Sequence, residues 1–261
     1  MHPILFEIGP IPIRSYGVLI AVAFAVGIWL AVRRAEKRGI DPLRMTDLGI
    51  WIMIAAVIGS RLFYVIPYWD YFAEHPARIL AVWEGGLTMY GGLLAAIAVS
   101  YVFTRRAGIS FRRTADVTAP SIALGLGITR IGCFFNGCCF GHPTSSALGV
   151  RFPAHSAAGS EFPGVAIHPT QLYAAAFGFA LFGFLLLAER RIRGEGRLFL
   201  ILIGLYGVAR IVFDQFRFYE NVSPLAPGGI PLSWNTLLSA ALIVLAAVLY
   251  PLLGGSRDDR R

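Results

Sequence analysis

Seven apolar stretches, each of about 17 to 25 residues, punctuate this chain. They fall at roughly 16–33, 46–67, 87–104, 115–135, 169–188, 197–216 and 232–253. A helix needs about 20 apolar residues to cross the hydrocarbon core of a bilayer, so each stretch predicts a spanning helix. The fourth is the least uniform, being rich in Gly and Thr. The longest polar interval, 136–168, is rich in Gly, Pro, Ala and Ser, which predicts an irregular segment. No internal repeat accompanies the pattern.

Composition agrees with the pattern. Of the 261 residues, 56% are hydrophobic and only 15% are charged, against roughly a quarter charged in soluble domains. The expectation is an all-α integral membrane protein with about seven transmembrane helices, a single polytopic domain over residues 1–261. Net charge is +8, and the placement of the charge carries more information than its size. Sixteen of the 23 basic residues lie in alternate connections: Arg33, Arg34, Lys37, Arg38 and Arg44; Arg105, Arg106, Arg112 and Arg113; Arg190, Arg191, Arg193 and Arg197; and Arg257, Arg260 and Arg261. Positive loops stay cytoplasmic. The N-terminus is therefore expected outside, the C-terminus inside and the segment near 136–168 outside. The first apolar run leads into a basic cluster rather than a small-residue cleavage site, which predicts a retained helix. Tyr68, Trp69, Tyr71, Trp83, Tyr219 and Trp234 sit near the expected outer ends, as interfacial aromatics do. Basic residues scattered among short loops give no stripe for nucleic acid.

Three arginines fall inside the apolar stretches. Arg61 lies in "AVIGSRLFYVI", Arg130 in the second half of the fourth stretch and Arg210 in "LIGLYGVARIVFDQFR". A guanidinium there costs several kcal/mol, about 3 on insertion scales, unless it is paired, hydrated or snorkelling. Tyr206, Arg210 and Asp214 are spaced four apart and share one helix face, which Arg217 continues. Asp214 can hold the fork of Arg210, either as a structural pair or as part of a site. One aspartate does not neutralise three arginines. The remaining charge suits a phosphate, which guanidinium binds in fork geometry, so the expectation is an anionic phospholipid headgroup site. Glycines in "EGGLTMYGGLLAA" (84–96) and "GLGITRIG" (125–132) permit close packing or close approach to a ligand.

All three cysteines lie in "RIGCFFNGCCFGHPT" (130–144). Their C-x4-C-C spacing argues against structural zinc, which wants four ligands and a spaced pair, although His142 offers a fourth donor. It also lacks the C-x-x-C of redox sites. A disulfide from Cys133 to Cys138 or Cys139 and a role as small buried fillers both remain open.

These motifs together resemble the bacterial prolipoprotein diacylglyceryl transferase family over nearly the whole chain. The resemblance rests on "FEIGPIPIRSYGVLIAVAF", "GSRLFYV", "WEGGLTMYGGL", "GLGITRIGCFFNGCCFGHPT", "HPTQLY" and "YGVARIVFDQFR", in order. It implies transfer of diacylglyceryl from phosphatidylglycerol to the lipobox cysteine thiol of a preprolipoprotein. A thioether forms and glycerol phosphate leaves, in the bacterial inner membrane, with no cofactor and no metal. It implies that Arg130 and Arg210 grip the phosphate, and that Tyr16, Arg61, Asn136, Gly141, Tyr206, Asp214 and Arg217 contribute to phospholipid binding. Asp214 stands where the family usually has Glu. Tyr90 occupies the position of a family histidine, Cys133 that of an Asn, and Ala174 follows "HPTQLY" where Glu is common. The candidates for a base are therefore Tyr90, His142 and His168, beside a route with no protein base. A lipid or anion carrier using the same arginines, and a thiol oxidoreductase using Cys138 and Cys139, are the competing readings.

Overall fold

The computed structural model describes residues 4–8, 11–219 and 234–253. A hairpin of β1 (Ile4–Ile8) and β2 (Ile11–Arg14) runs directly into α1 (Ser15–Lys37). It is followed by α2 (Pro42–Val65), the short α3 (Trp69–Glu74), α4 (Met89–Arg106) and α5 (Phe111–Asn136). The interval expected to be irregular carries β3 (Val150–Arg151), α6 (Ala157–Glu161) and β4 (Ala166–Ile167). Then come α7 (Thr170–Ala188), α8 (Arg197–Asp214) and α9 (Trp234–Leu252). The tail arginines 257, 260 and 261, and all of the 217–231 connection beyond residue 219, lie outside the described residues.

Among the described residues a helix of at least 18 residues stands at each of the seven apolar stretches. Five regions are long and apolar enough to cross a membrane: Ser15–Lys37, Pro42–Glu74, Phe111–Asn136, Thr170–Ala188 and Asn235–Leu252. Charge separates the other two. α4 ends in Arg105 and Arg106, and α8 holds Arg197, Arg210 and Asp214 within its 18 residues. Large apolar side chains, among them Trp29, Leu43, Ile58, Leu93, Leu187 and Val244, face outward. So continuous an apolar surface is stable against lipid tails rather than water. The chain is a multi-pass membrane protein.

The structure forms two compact units, one from Ile28–Val117 and the other from Met1–Gly27 with Thr118–Arg261. In the first, Ala31, Ala35, Ile40, Met45, Leu48 and Val117 form the core. α2 starts where Asp41 accepts the Leu43 N–H at 2.9 Å and Pro42 occupies the first turn, the usual start signals of a helix. α2 and α4 touch backbone to backbone at Gly59 and Gly91. A Cβ on Gly91 would fall 2.3 Å from the Gly59 carbonyl oxygen, so no side chain fits there.

Arg61, on α2, donates to main-chain carbonyls. Its Nε donates to the Ile79 carbonyl at 2.9 Å, and Nη1 donates to Gly85 and Gly86 at 2.8 and 3.2 Å. Nη2 donates to the Arg78 carbonyl. Four of the five guanidinium N–H groups thus end on main-chain oxygens. Its centre also lies over the Tyr64 and Phe72 rings, 5.6 and 5.3 Å from their centroids. With its charge spread over carbonyl dipoles, buried Arg61 anchors the 78–86 connection.

In the second unit, Ala119, Ala123, Leu181, Leu185, Leu198 and Leu202 pack α5, α7 and α8 together. A smaller core of Phe152, Ala158 and Ile167, covered by Phe134, Phe140 and Phe162, gives the 137–168 segment its own order. That core is why the segment is not irregular: it buries enough apolar surface to offset part of the chain entropy that a Gly/Pro-rich sequence would otherwise keep.

Replacing Arg61 with Ala removes four charge-assisted hydrogen bonds, each worth about 1.5–3 kcal/mol. Amide exchange across residues 78–86 should then accelerate at least tenfold, since about 1.4 kcal/mol already gives that factor. Unchanged exchange would show that Arg61 does not hold this connection.

Candidate functional site

The site begins where α5 ends. After Asn136 the chain turns at Gly137, and the Cys138 N–H returns to the Cys133 carbonyl at 3.1 Å. Cys139 is the one non-glycine residue with positive φ (60°) among the described residues. That conformation costs an L-residue roughly 1–2 kcal/mol, and the first turn of α7 holds it in place. Thr170 Oγ1 donates to the Cys139 carbonyl and Gln171 Nε2 to the Cys138 carbonyl, both at 2.8 Å. The "HPTQLY" motif therefore works partly as a clamp on the cysteine turn.

Next, three separate segments are knitted together. The Gly141 N–H donates to the His168 carbonyl, the His168 N–H to the His142 carbonyl and the His142 N–H to the Phe216 carbonyl. Gly141 forms an antiparallel bridge with Arg217. The approach is close enough that a Cβ on Gly141 would stand 2.5 Å from the Phe216 oxygen and 2.7 Å from the His168 Cβ. Phe140 stacks on Phe218 with ring centroids 5.8 Å apart. Gly141 thus sets the backbone position of Arg217.

Together these elements frame a narrow cleft. Arg130, Tyr206, Arg210, Arg217, Thr170 and Cys139 are its polar lining residues, and Leu126, Ala174, Phe177 and Phe213 its apolar ones. Three guanidinium groups on one cleft need negative charge. Asp214 supplies some, lying 3.4 Å from Arg210 Nη2. Tyr219 completes a triangle: Arg210 Nη2 donates to its hydroxyl at 2.8 Å, and the hydroxyl donates to Asp214 Oδ1 at 2.7 Å. Burial, and then the bond to Asp214, push the Tyr219 phenol up to about 12, so it stays protonated as the donor this triangle requires. Both charged members are sheltered, the Asp214 side chain being 5% exposed and that of Arg210 13%.

Arg217 has less. Its guanidinium lies 5.0 Å from the Tyr219 ring centroid, and its Nε is buried without a hydrogen-bond partner. A buried donor left unpaired is costly. Arg130 hydrogen-bonds to the Cys139 side chain. The Cys139 thiol is lowered from its ordinary range by hydrogen bonds from Cys133 and Cys138, then by the charges of Arg217 and Arg130, against the opposing effect of burial. Tyr16 packs against Gly132 and lies within the field of Arg130 and the three cysteines. Asn136 hydrogen-bonds to Cys138.

The structure therefore brings together Tyr16, Arg130, Asn136, Gly141, Tyr206, Arg210, Asp214 and Arg217 in one unit. His142 is in the same unit, exposed, with its ring edge-on to Phe218. Arg61 and Tyr90 belong to the Ile28–Val117 unit, Tyr90 exposed on α4. Tyr219 was read in the sequence only as an interfacial aromatic. It lies five residues past Asp214 and beyond the helix end, so no helical spacing pointed to it. Thr170 and Gln171 were visible only as parts of "HPTQLY".

Comparison with known proteins places these residues in context. A family model described as prolipoprotein diacylglyceryl transferase matches residues 3–252. A Bacillus velezensis protein is 35% identical over 251 residues, covering 95% of this chain and 91% of its own length. One from Symbiobacterium thermophilum is 34% identical over 250 residues, 95% of this chain and 91% of its own. One from Thermosynechococcus vestitus is 36% identical over 213 residues, 81% of this chain and 80% of its own. All three carry the name phosphatidylglycerol–prolipoprotein diacylglyceryl transferase.

Gly141→Ala should force the 141–142 and 216–217 backbones apart at a cost of about 1–3 kcal/mol, the usual penalty of overpacking. The unfolding midpoint should fall, and the variant should lose more transfer activity than its loss of folded protein accounts for, because Arg217 moves with the bridge. A variant as stable and active as the parent would refute this placement of Gly141.

Proposed function

Because this chain belongs to the prolipoprotein diacylglyceryl transferase family, we propose that the arginine-lined cleft holds the phosphate of phosphatidylglycerol during transfer of its diacylglyceryl group to a prolipoprotein. The observation that carries this reading is the convergence of Arg130, Arg210 and Arg217 on one cleft that Leu126, Phe177 and Phe213 also line. A phospholipid has the same two chemistries, an anionic head and apolar tails.

The nucleophile belongs to the substrate. It is the thiol of the lipobox cysteine, with an unperturbed pKa of about 8.5, and a field of arginines raises its thiolate fraction. The sulfur attacks the glycerol carbon that bears the phosphate. The C–S bond forms as the C–O bond breaks, and glycerol phosphate leaves with the electron pair. Negative charge grows on the phosphate oxygens, and Arg130 and Arg210 stabilise it from fixed positions in a low-dielectric setting. Asp214 and Tyr219 prevent Arg210 from swinging away. Arg217 offers its unpartnered Nε to the same anion. Tyr16, Asn136, Gly141 and Tyr206 shape the headgroup pocket. His142, exposed beside Gly141, is one candidate to take the thiol proton. Tyr90, at the position of a family histidine, remains a candidate for that step. The carrier and oxidoreductase readings draw no support from relatives that carry a transferase name.

The charge pattern further supports seven spans in the bacterial inner membrane, with the N-terminus and the 137–168 segment outside and the C-terminus in the cytoplasm. On this arrangement the cysteine turn and Gly141 lie on the side where a preprolipoprotein presents its lipobox.

Incubating purified protein with phosphatidylglycerol and a lipobox peptide should yield a diacylglyceryl adduct by mass. Arg130→Ala and Arg210→Ala should each slow that transfer by about 10²–10³-fold, the usual effect of losing a preorganised charge-stabilising group, while inserting normally into membranes. Parental rates in either variant would overturn the phosphate grip. A C-terminal fusion to a fluorescent protein that matures only in the cytoplasm should glow, and a dark but full-length fusion would reverse the proposed orientation.

A further inference from the structure

Cys133, Cys138 and Cys139 are the only cysteines in the chain. Their three Sγ atoms lie within 4.8 Å of one another, and none is in a disulfide. Neighbouring side chains diverge along extended backbone. The backbone here is not extended. The left-handed turn at Cys139 redirects the chain, and Cys133 meets the pair from the last turn of α5. Hydrogen bonds to both carbonyls of the pair, from Thr170 and Gln171, hold the turn. A strained residue braced from two side chains is a built feature rather than a relaxed loop.

We propose that Cys133, Cys138 and Cys139 form a three-thiolate site for one soft d10 cation, Cu⁺ or Zn²⁺, bordering the cleft at Cys139. Metal–thiolate bonds of about 2.3 Å in tetrahedral geometry place sulfurs about 3.8 Å apart, so each pair closes by about 1 Å at most. Thiolate ligands select this class of ion over hard cations. Three thiolates leave a complex of net charge −2 with Cu⁺ or −1 with Zn²⁺. Counter-charge is already present, because Arg130 hydrogen-bonds to Cys139 and the Arg217 charge acts on it. No His or carboxylate joins the cluster among the described residues. Cu⁺ is complete with three sulfurs, whereas Zn²⁺ takes a fourth ligand from outside the cluster. The site shares Arg130 and Arg217 with the cleft.

The test uses the reduced full-length protein in detergent, with Cd²⁺ as a spectroscopic probe and separate Cu⁺ and Zn²⁺ arms. Thiolate-to-metal absorption should saturate at one Cd²⁺ per chain. The thiols that react in the metal-free protein should become unreactive on saturation with Cd²⁺ and with at least one of the two physiological ions. Saturation by Cu⁺ alone would assign a three-coordinate site, and saturation by Zn²⁺ would assign a fourth ligand from outside. Cys139→Ser and Cys138→Ser should each weaken binding at least tenfold. An unchanged number of reactive thiols in the wild-type protein at saturating Cd²⁺, Cu⁺ and Zn²⁺ would overturn the proposal, as would unchanged affinity in a folded Cys139→Ser variant. The wild-type thiol count decides the matter even if neither variant folds.

Discussion

A guanidinium ion within an apolar helix must find oxygen or negative charge close at hand, and this protein is organised around that demand. The cost of leaving it unmet is several kcal/mol per arginine, about 3 on insertion scales, a large share of a typical fold's net stability. Arg61 and Arg210 meet the demand in opposite ways. Arg61 spends its N–H groups on main-chain carbonyls and so becomes structural. Arg210 is held by one carboxylate and one phenol, with its face on a cleft. Two residues of the same type in similar surroundings thus acquire different work from the neighbours that the chain brings to them.

The cleft depends on a scaffold with little regular structure of its own. The 137–168 segment is ordered by a small aromatic core and by a chain of backbone hydrogen bonds through Gly141, His142, His168 and Phe216. It fixes Arg217 and the cysteine turn from one side, while α5, α7 and α8 present Arg130, Thr170 and Arg210 from the others. Placing a site where loops are pinned to helix ends gives both reach and rigidity. The cleft's lining joins three arginines to aromatic and aliphatic side chains.

The cysteines show how a motif can change meaning between sequence and structure. In the sequence C-x4-C-C reads as a poor metal motif and a poor redox motif. In the structure the positive-φ turn at Cys139 gathers the three sulfurs beside two arginines. Position in space, rather than spacing along the chain, determines which atoms share one ligand.

Much of the protein was legible in the sequence because lipid is a demanding solvent. Every apolar stretch long enough to span became a helix, since backbone groups in hydrocarbon have to bond within their own segment. The four-residue spacing of Tyr206, Arg210 and Asp214 placed them on one face because α-helical geometry is local. Membership of the family was readable for a related reason, as short motifs kept their order along the chain. Other features depended on contacts between residues far apart in sequence. That Arg61 binds carbonyls at 78–86, that Tyr219 locks Arg210 to Asp214 and that three cysteines meet are all of this kind. Local periodicity carries no record of such pairings. The sequence by itself determined which segments are helical and which charges need partners; only the tertiary structure decided which partners they have.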